Sequence, residues 1–291
     1  MTAQPGQTEK VGSNKLQLPH LLYHYTDQTG LIGILETKRI WATHARYLND
    51  VREGKIVVDV LRQRLKEIQN KPEFHNLPIK KLHSNIKELV AHLHIFIASF
   101  SERGNLLSQW RAYSGATGGY SIGFNSGYLR DIGGSFLSTQ ENWFRQDTEP
   151  LKRCLYMKEE SKGGFSLISS NSDPGAKREA TEDERNQSTA QQSIENFVAW
   201  VQDMAATMKH AGFKEEAEWR IALFFKDDMG WENPNLRFRP GGSMPSPYIE
   251  IDLQSGARRI AIEKIFVGPC PNPKEAVQSV EFLEPVYDLW T

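Results

Sequence analysis

The 291-residue sequence predicts an α+β fold, and three observations carry that expectation. Apolar residues recur at helical spacing in three separate stretches. Short apolar runs bounded by turn residues recur along the chain and dominate its second half. Strand and helix never settle into a regular alternation, and neither GxGxxG nor GxxxxGK[ST] occurs, so a doubly wound nucleotide-binding sheet is not expected. The reading is a single domain over residues 21–291, preceded by a polar tail over 1–20 and interrupted by a polar insertion over 159–192.

The elements follow in order. Residues 21–26, Leu-Leu-Tyr-His-Tyr-Thr, read as an apolar strand that delivers a His and a hydroxyl to its end. Thr26 or Asp27 then caps a helix whose stripe is Leu31, Ile34 and Leu35. Residues 40–43 form the next strand. Asn49 or Asp50 can cap the helix that follows, with Glu53 completing a capping box if Asp50 is the cap. Its stripe is Ile56, Val57, Val60, Leu61, Leu65 and Ile68; a second charged stretch carries Ile79, Leu82, Ile86, Leu89, Val90 and Leu93. Strands are expected at 94–101 and 119–124, the latter alternating polar and apolar as a half-buried strand does. A short helix or turn carrying Trp110, Arg111 and Tyr113 lies between them. Further strands are expected at 151–157, 218–225, 248–253 and 262–267. The third helical stripe runs from Ile194 through Phe197, Val201 and Met204 to Met208. The stretch 234–247, with Arg237 and Arg239, reads as a solvated loop.

Composition narrows the classes. Thirty-five basic and 36 acidic residues leave a net charge of −1, which gives no support for broad electrostatic binding to nucleic acid or membrane, though a local basic patch stays open. Ten per cent aromatic residues, seven of them Trp, point to an ordered core. No apolar run approaches the roughly 18 residues of a membrane span. The first 20 residues lack a signal-peptide apolar core, so a cytoplasmic location is expected. Cys154 and Cys270 stand far apart in strand-like contexts and read as two buried thiols in a reducing compartment.

Three polar clusters stand at strand ends. His24 sits where a strand meets a helix N-terminus, a place rich in unpaired backbone N–H groups; packing beside Tyr23 and Tyr25 is the alternative. Ser99 and Ser101 share a strand face and lead towards Trp110, Arg111 and Tyr113. A guanidinium beside aromatic rings suits a phosphate and a flat ring, or simply packs as a cation–π pair. Glu216, Glu218 and Arg220 share one face of a strand start, where a carboxylate can stabilise a developing cation or form a Glu–Arg pair. The His and Cys spacings support no metal site.

Taken together, His24-Tyr25-Thr26, Trp41-Ala42-Thr43, Asn49-Asp50 with Glu53, Ser99-Phe100-Ser101, the run 109–113 (Gln-Trp-Arg-Ala-Tyr), Glu218-Trp219-Arg220 and Val267-Gly268-Pro269 resemble a bacterial family of uncharacterised function over residues 21–270. The His-x-Thr strand end, the following Gly-Leu-x-x-Ile-Leu helix and the late strand-start Glu are also similar to the ADP-ribosyltransferase superfamily. That resemblance implies a split, mixed or antiparallel sheet with helices from the N-terminal half. It also implies NAD as the substrate and no metal. By residue, it implies that His24 holds the adenosine ribose, supported by Thr26 and the backbone at Tyr25. Tyr113 stacks on nicotinamide, with Tyr120 and Tyr25 as alternatives, and Glu218 binds the nicotinamide ribose. Ser99, Ser101, Trp110 and Arg111 complete the binding set. Glu216-Ala217-Glu218 with Ser99-x-Ser101 resembles the branch that pairs a Ser-x-Ser strand with a Glu-x-Glu motif, although that branch opens with Arg rather than His. The implied activity is ADP-ribose transfer to a macromolecular or small-molecule acceptor, as in bacterial toxins and phage-defence effectors. NAD hydrolysis, metal-independent RNA cleavage and non-catalytic ligand sensing are the other readings.

Overall fold

In the computed structural model, the structure describes residues 18–48, 52–69, 78–115, 118–160, 165–167, 190–226, 232–241, 243–254 and 260–287. The expectations for the tail over 1–17, the capping residues Asn49 and Asp50 with the Glu53 side chain, Gly242, and the middle of the insertion lie outside the described residues.

Strands β1 (Leu21–Thr26), β2 (Arg39–His44), β3 (Ile95–Ser101), β4 (Tyr120–Asn125), β5 (Leu151–Arg153), β9 (Glu218–Phe224), β10 (Leu236–Arg239), β11 (Ser246–Asp252) and β12 (Ile262–Val267) form one sheet in which every pairing is antiparallel. Its centre is β3, paired along its whole length with β9, which in turn pairs β5. With that edge occupied, β2 and β1 both dock on the other edge of β3. β2 takes Phe96 and Ile97; β1 takes only Ser101. Two three-stranded arms, β10–β11–β2 and β12–β4–β1, therefore diverge from one strand. Strands β6 (Leu155–Glu159), β7 (Phe165–Leu167) and β8 (Met208–His210) make a second sheet, with β6 and β8 parallel.

Helices cover both faces of the large sheet. Alternate residues of β3 divide between two cores: Phe96, Ala98 and Phe100 in one, Ile95 and Ile97 in the other. The first core is closed by α1 (Gln28–Thr37) through Leu31, Ile34 and Leu35, and by α5 (Ser126–Thr139) through Leu129, Ile132 and Leu137. Asp27 caps α1, its Oδ1 accepting from Gly30 N at 2.8 Å, and Asn125 caps α5 in the same way. The second core gathers Ile56, Leu61 and Leu65 of α2 (Arg52–Ile68), Ile86 of α3 (Ile79–Ala91), and Phe197, Val201 and Met204 of α6 (Ala190–Thr207). The expected helical stripes are thus the faces that bury. Among the described residues no helix is long and apolar enough to cross a membrane.

Several expectations are corrected. Residues 151–157 are two strands in different sheets, broken at Cys154, because Leu151–Arg153 pairs β9 whereas Leu155 onwards pairs β7 and β8. The third stripe stops being helical at Thr207, and Met208–His210 becomes a strand. The loop expected over 234–247 holds β10 and the start of β11. The insertion opens with the β6–β7 hairpin and ends inside α6. Helices are not confined to the N-terminal half, since α6 and α7 (Pro273–Tyr287) lie in the second; α5 and α7 escape a reading based on long stripes, because glycines interrupt the first and α7 buries only Val280. Cys154 is buried, Cys270 is half-buried in the loop after β12, and the two form no disulfide.

Phe96 is fully buried between His44 and Phe225, with ring centroids 5.1 and 4.9 Å away. Phe96→Ala is expected to cost about 3–5 kcal/mol through lost transfer energy and the cavity left behind. Urea unfolding checks it: the midpoint should fall while the slope stays constant.

Candidate functional site

The cleft lies at the end of β3, where the two arms part. Past Ile97 the strand has lost β2 but meets β1 only at Ser101, so a backbone carbonyl on this edge needs another partner. His24 supplies it: Nδ1 donates to Ser99 O at 3.0 Å. A proton on Nδ1 makes Nε2 the acceptor of the neutral ring, and burial, only partly opposed by the Ser99 hydrogen bond, holds the imidazole pKa below its usual value. His24 is therefore a neutral, oriented imidazole that also packs against Phe100.

One wall is built by Tyr25. Its hydroxyl donates to Arg103 O at 2.6 Å and accepts from Leu106 N at 2.9 Å, pinning the turn that leads into α4 (Leu107–Tyr113). Its ring meets Trp110 edge-on at 4.7 Å, and Trp110 Nε1 donates to Asn105 Oδ1 at 2.8 Å. A helix seated this way turns Gln109 and Tyr113, four residues apart, towards the cleft. Gly268 permits the seating: a Cβ there would come within 2.8 Å of the Trp110 ring.

The opposite wall is a buried ionic network. Glu218 opens β9 opposite Ser101, with Arg220 opposite Ser99, so all four share a sheet face. Arg220 Nε donates to Glu218 Oε1 at 2.7 Å, and Arg220 Nη1 to Ala206 O at 2.9 Å. Lys209, on β8, donates to the other Glu218 oxygen and to Glu216 Oε2, the latter at 2.5 Å. Ala217, in the left-handed region at φ 42°, turns the chain between Glu216 and Glu218 so that both reach one ammonium. Ser101 Oγ donates to Glu216 O at 2.6 Å, and Tyr156 OH accepts from Glu218 N at 2.8 Å.

The two carboxylates are pushed apart electrostatically. Burial disfavours the charge of Glu218, but Arg220 and Lys209 outweigh it and lower its pKa to about 2. For Glu216 burial, reinforced by the neighbouring Glu218 charge, outweighs Lys209 and the more distant Arg220, and its pKa rises. Burial likewise opposes the Lys209 charge, yet Glu218 more than compensates and the ammonium is held above its ordinary range. Such a divided pair provides a carboxylate that stays ionised and a neighbour of higher proton affinity.

The cleft is lined by Tyr23, His24, Tyr25, Ser99, Phe100, Ser101, Gln109, Tyr113, Glu216 and Glu218 and has a volume of about 40 Å³. His24, Tyr113 and Glu218, from β1, α4 and β9, thus meet at one place. Trp110 and Arg111 do not: the helix turns Trp110 into the packing against Tyr25, only 5% exposed, and sends Arg111 to solvent. Thr26 lies past the cleft, its hydroxyl against Gly30 of α1. Tyr120 is outside the lining as well. Glu218 lines the cleft but is 5% exposed and doubly ion-paired, its contact with Arg220 being the Glu–Arg pair that the strand spacing allowed. Sequence reasoning missed Lys209 and gave Gln109 no separate role. Lys209 follows an apolar helical stripe with nothing in the local sequence to mark it; the pairing of β8 with β6 buries it. Among the described residues no group of three or more His, Cys, Asp and Glu could hold a metal.

Residues 109–221 are similar to a family described as Protein of unknown function (DUF2971). This segment contains Gln109, Tyr113, Lys209, Glu216, Glu218 and Arg220, whereas His24, Ser99 and Ser101 precede it. No curated protein and no solved structure matches the chain.

Removing Lys209 leaves Glu218 with one cation and Glu216 with none. Lys209→Met is expected to destabilise the fold by about 3–5 kcal/mol, because an uncompensated charge stays buried; chemical denaturation measures it. The lowered Glu218 pKa also sets a pH dependence. Its folded value lies below the ordinary 4.5, so its stabilising contribution is present above about pH 4.5 and lost as pH falls towards 2. Unfolding free energies between pH 5 and pH 2 should drop by about 3 kcal/mol more in the natural protein than in Glu218→Gln.

Proposed function

We propose that the cleft binds NAD and breaks its nicotinamide–ribose bond, transferring ADP-ribose to an acceptor. The observation that carries this reading is the meeting of His24, Tyr113 and Glu218 around one cleft at the divergence of β1 and β2. The bond electrons leave with nicotinamide, C1′ acquires oxocarbenium character, and the acceptor's nucleophilic atom bonds to C1′ as it loses its proton.

Each residue has a part to which its setting is suited. His24 Nε2 accepts from a ribose hydroxyl of the adenosine half. Tyr113, 41% exposed at the mouth, offers its ring to nicotinamide. Glu218 keeps its negative charge at any physiological pH. It has about four lone-pair positions, of which Lys209 and Arg220 take two, so it can also accept from the ribose hydroxyl beside the developing cation. Glu216 stands next to it as the carboxylate that takes the proton the acceptor loses, its raised pKa making it the stronger base of the two. A volume of about 40 Å³ accommodates water-sized groups, so NAD enters only as α4 with Tyr113 swings aside.

One observation favours a second reading. The Lys209–Glu216 and Lys209–Glu218–Arg220 contacts close on themselves, as expected of a module that binds a ligand without turning it over.

Nicotinamide release from NAD, with and without candidate acceptors, separates these readings. Glu218→Gln should slow release about a hundredfold or more while NAD affinity changes little. Release without any acceptor identifies water as the acceptor. Full activity in both Glu218→Gln and Glu216→Gln would overturn the mechanism, and binding without release by the natural protein would favour the module.

A further inference from the structure

The cleft leaves one built surface unused. On the arm β2–β11–β10, Arg39, Trp41 and Thr43 share a face with Tyr248 and Glu250, and Tyr248 stands opposite Arg237. Thr43 also pairs with Ile97, so this is the face of β3 that carries Ser99 and Ser101. Trp41 and Tyr248 lie with ring centroids 4.5 Å apart and planes 34° from parallel, and Trp41 keeps 43% of its surface in solvent. The Arg239 guanidinium stands 5.7 Å from the Trp41 ring centre and donates from Nη2 to Thr43 Oγ1 at 3.1 Å. Its Nε is buried without a hydrogen-bond partner, and no carboxylate lies within 4 Å of its guanidinium among the described residues. Arg237 is exposed beside it. Arg39 is matched by Glu250 at 2.6 Å, and Arg237 Nη1 donates to Pro234 O and Leu236 O, so among the described residues neither Arg237 nor Arg239 has a carboxylate partner.

An exposed indole backed by a second ring, with two guanidinium groups on β10 that lack a carboxylate partner among the described residues, fits a flat base joined to phosphates. Every base has a π face that such a ring accepts, and a guanidinium grips phosphate oxygens in pairs. We infer that this face binds single-stranded nucleic acid, with a base on Trp41 and phosphates at Arg237 and Arg239. The balanced overall charge is no obstacle, because the favourable charge is local. A duplex hides its base faces and is a poor ligand for such a platform. If the cleft transfers ADP-ribose, a strand held here supplies the acceptor class. That step rests on the reading above; the binding does not.

Fluorescence anisotropy of a labelled 20-nucleotide oligo-dT, without NAD, tests the inference on the full chain. The natural protein should bind the single strand at micromolar concentration or below in 50 mM salt, and at least tenfold better than a duplex of equal length. Trp41→Ala should weaken binding about tenfold, as expected for the loss of one stacked base. Arg239→Gln should weaken it and make the slope of log K against log salt shallower by about 0.7, the share of one phosphate contact on a single strand. Arg130→Gln, an exposed change on α5 across the sheet, should leave binding unaltered. Circular dichroism confirms that each variant is folded. The inference is overturned by absence of binding, by equal binding of duplex, by indifference to both Trp41→Ala and Arg239→Gln, or by free dTMP competing as well per mole as the oligonucleotide. Because the assay contains no NAD, its failure leaves the cleft's chemistry untouched, and its success does not depend on that chemistry.

Discussion

Burying a carboxylate costs several kcal/mol, and the cleft end of the molecule is organised around offsetting that cost for Glu218. Two cations from different elements reach it, Arg220 two residues along β9 and Lys209 from β8. Placing Lys209 requires the parallel pairing of β8 with β6. That pairing in turn requires α6 to end at Thr207, against the second core. Tyr156, also on β6, accepts the Glu218 backbone N–H. One desolvated charge thus ties the small sheet to the large one. An ionic arrangement of this kind contributes little net stability over an apolar substitute, yet it strongly penalises any structure in which a partner is missing.

The second organising constraint is geometric. β9 occupies one whole edge of β3, so two arms must share the other, and they part at Ala98 to Phe100. A parting in a sheet exposes backbone polar groups that water or a side chain must satisfy. His24 satisfies one and is fixed as a neutral acceptor in doing so. Strand divergence therefore does two things at once: it opens the cleft and orients a functional side chain within it.

The opposite wall is the less firmly held part. Helix α4 has seven residues and depends on Tyr25 and Trp110 for its position, while Tyr113 at its end keeps 41% of its surface exposed. Short helices gain little from their own hydrogen bonds. Movement of α4 is thus the least costly way to enlarge a cleft whose other wall is a buried ionic network.

The sequence by itself determined the helices with long apolar stripes and the mixed α+β character, because helical and strand periodicities are local properties of side-chain spacing. It also placed His24, Tyr113 and Glu218 at the ends of elements, where backbone groups are unpaired. It could not say that residues 151–157 divide between two sheets, or that the Arg237–Arg239 stretch is a paired strand, since strand partners lie far off in sequence. Burial was equally illegible. Trp110 and Arg111 are neighbours in a suggestive motif, yet the seating of α4 sends one into the core and the other to solvent. Lys209 carried no local mark at all. Its role as the cation shared by two carboxylates arises from three segments meeting in space, and only tertiary structure decides which charges lose their water together.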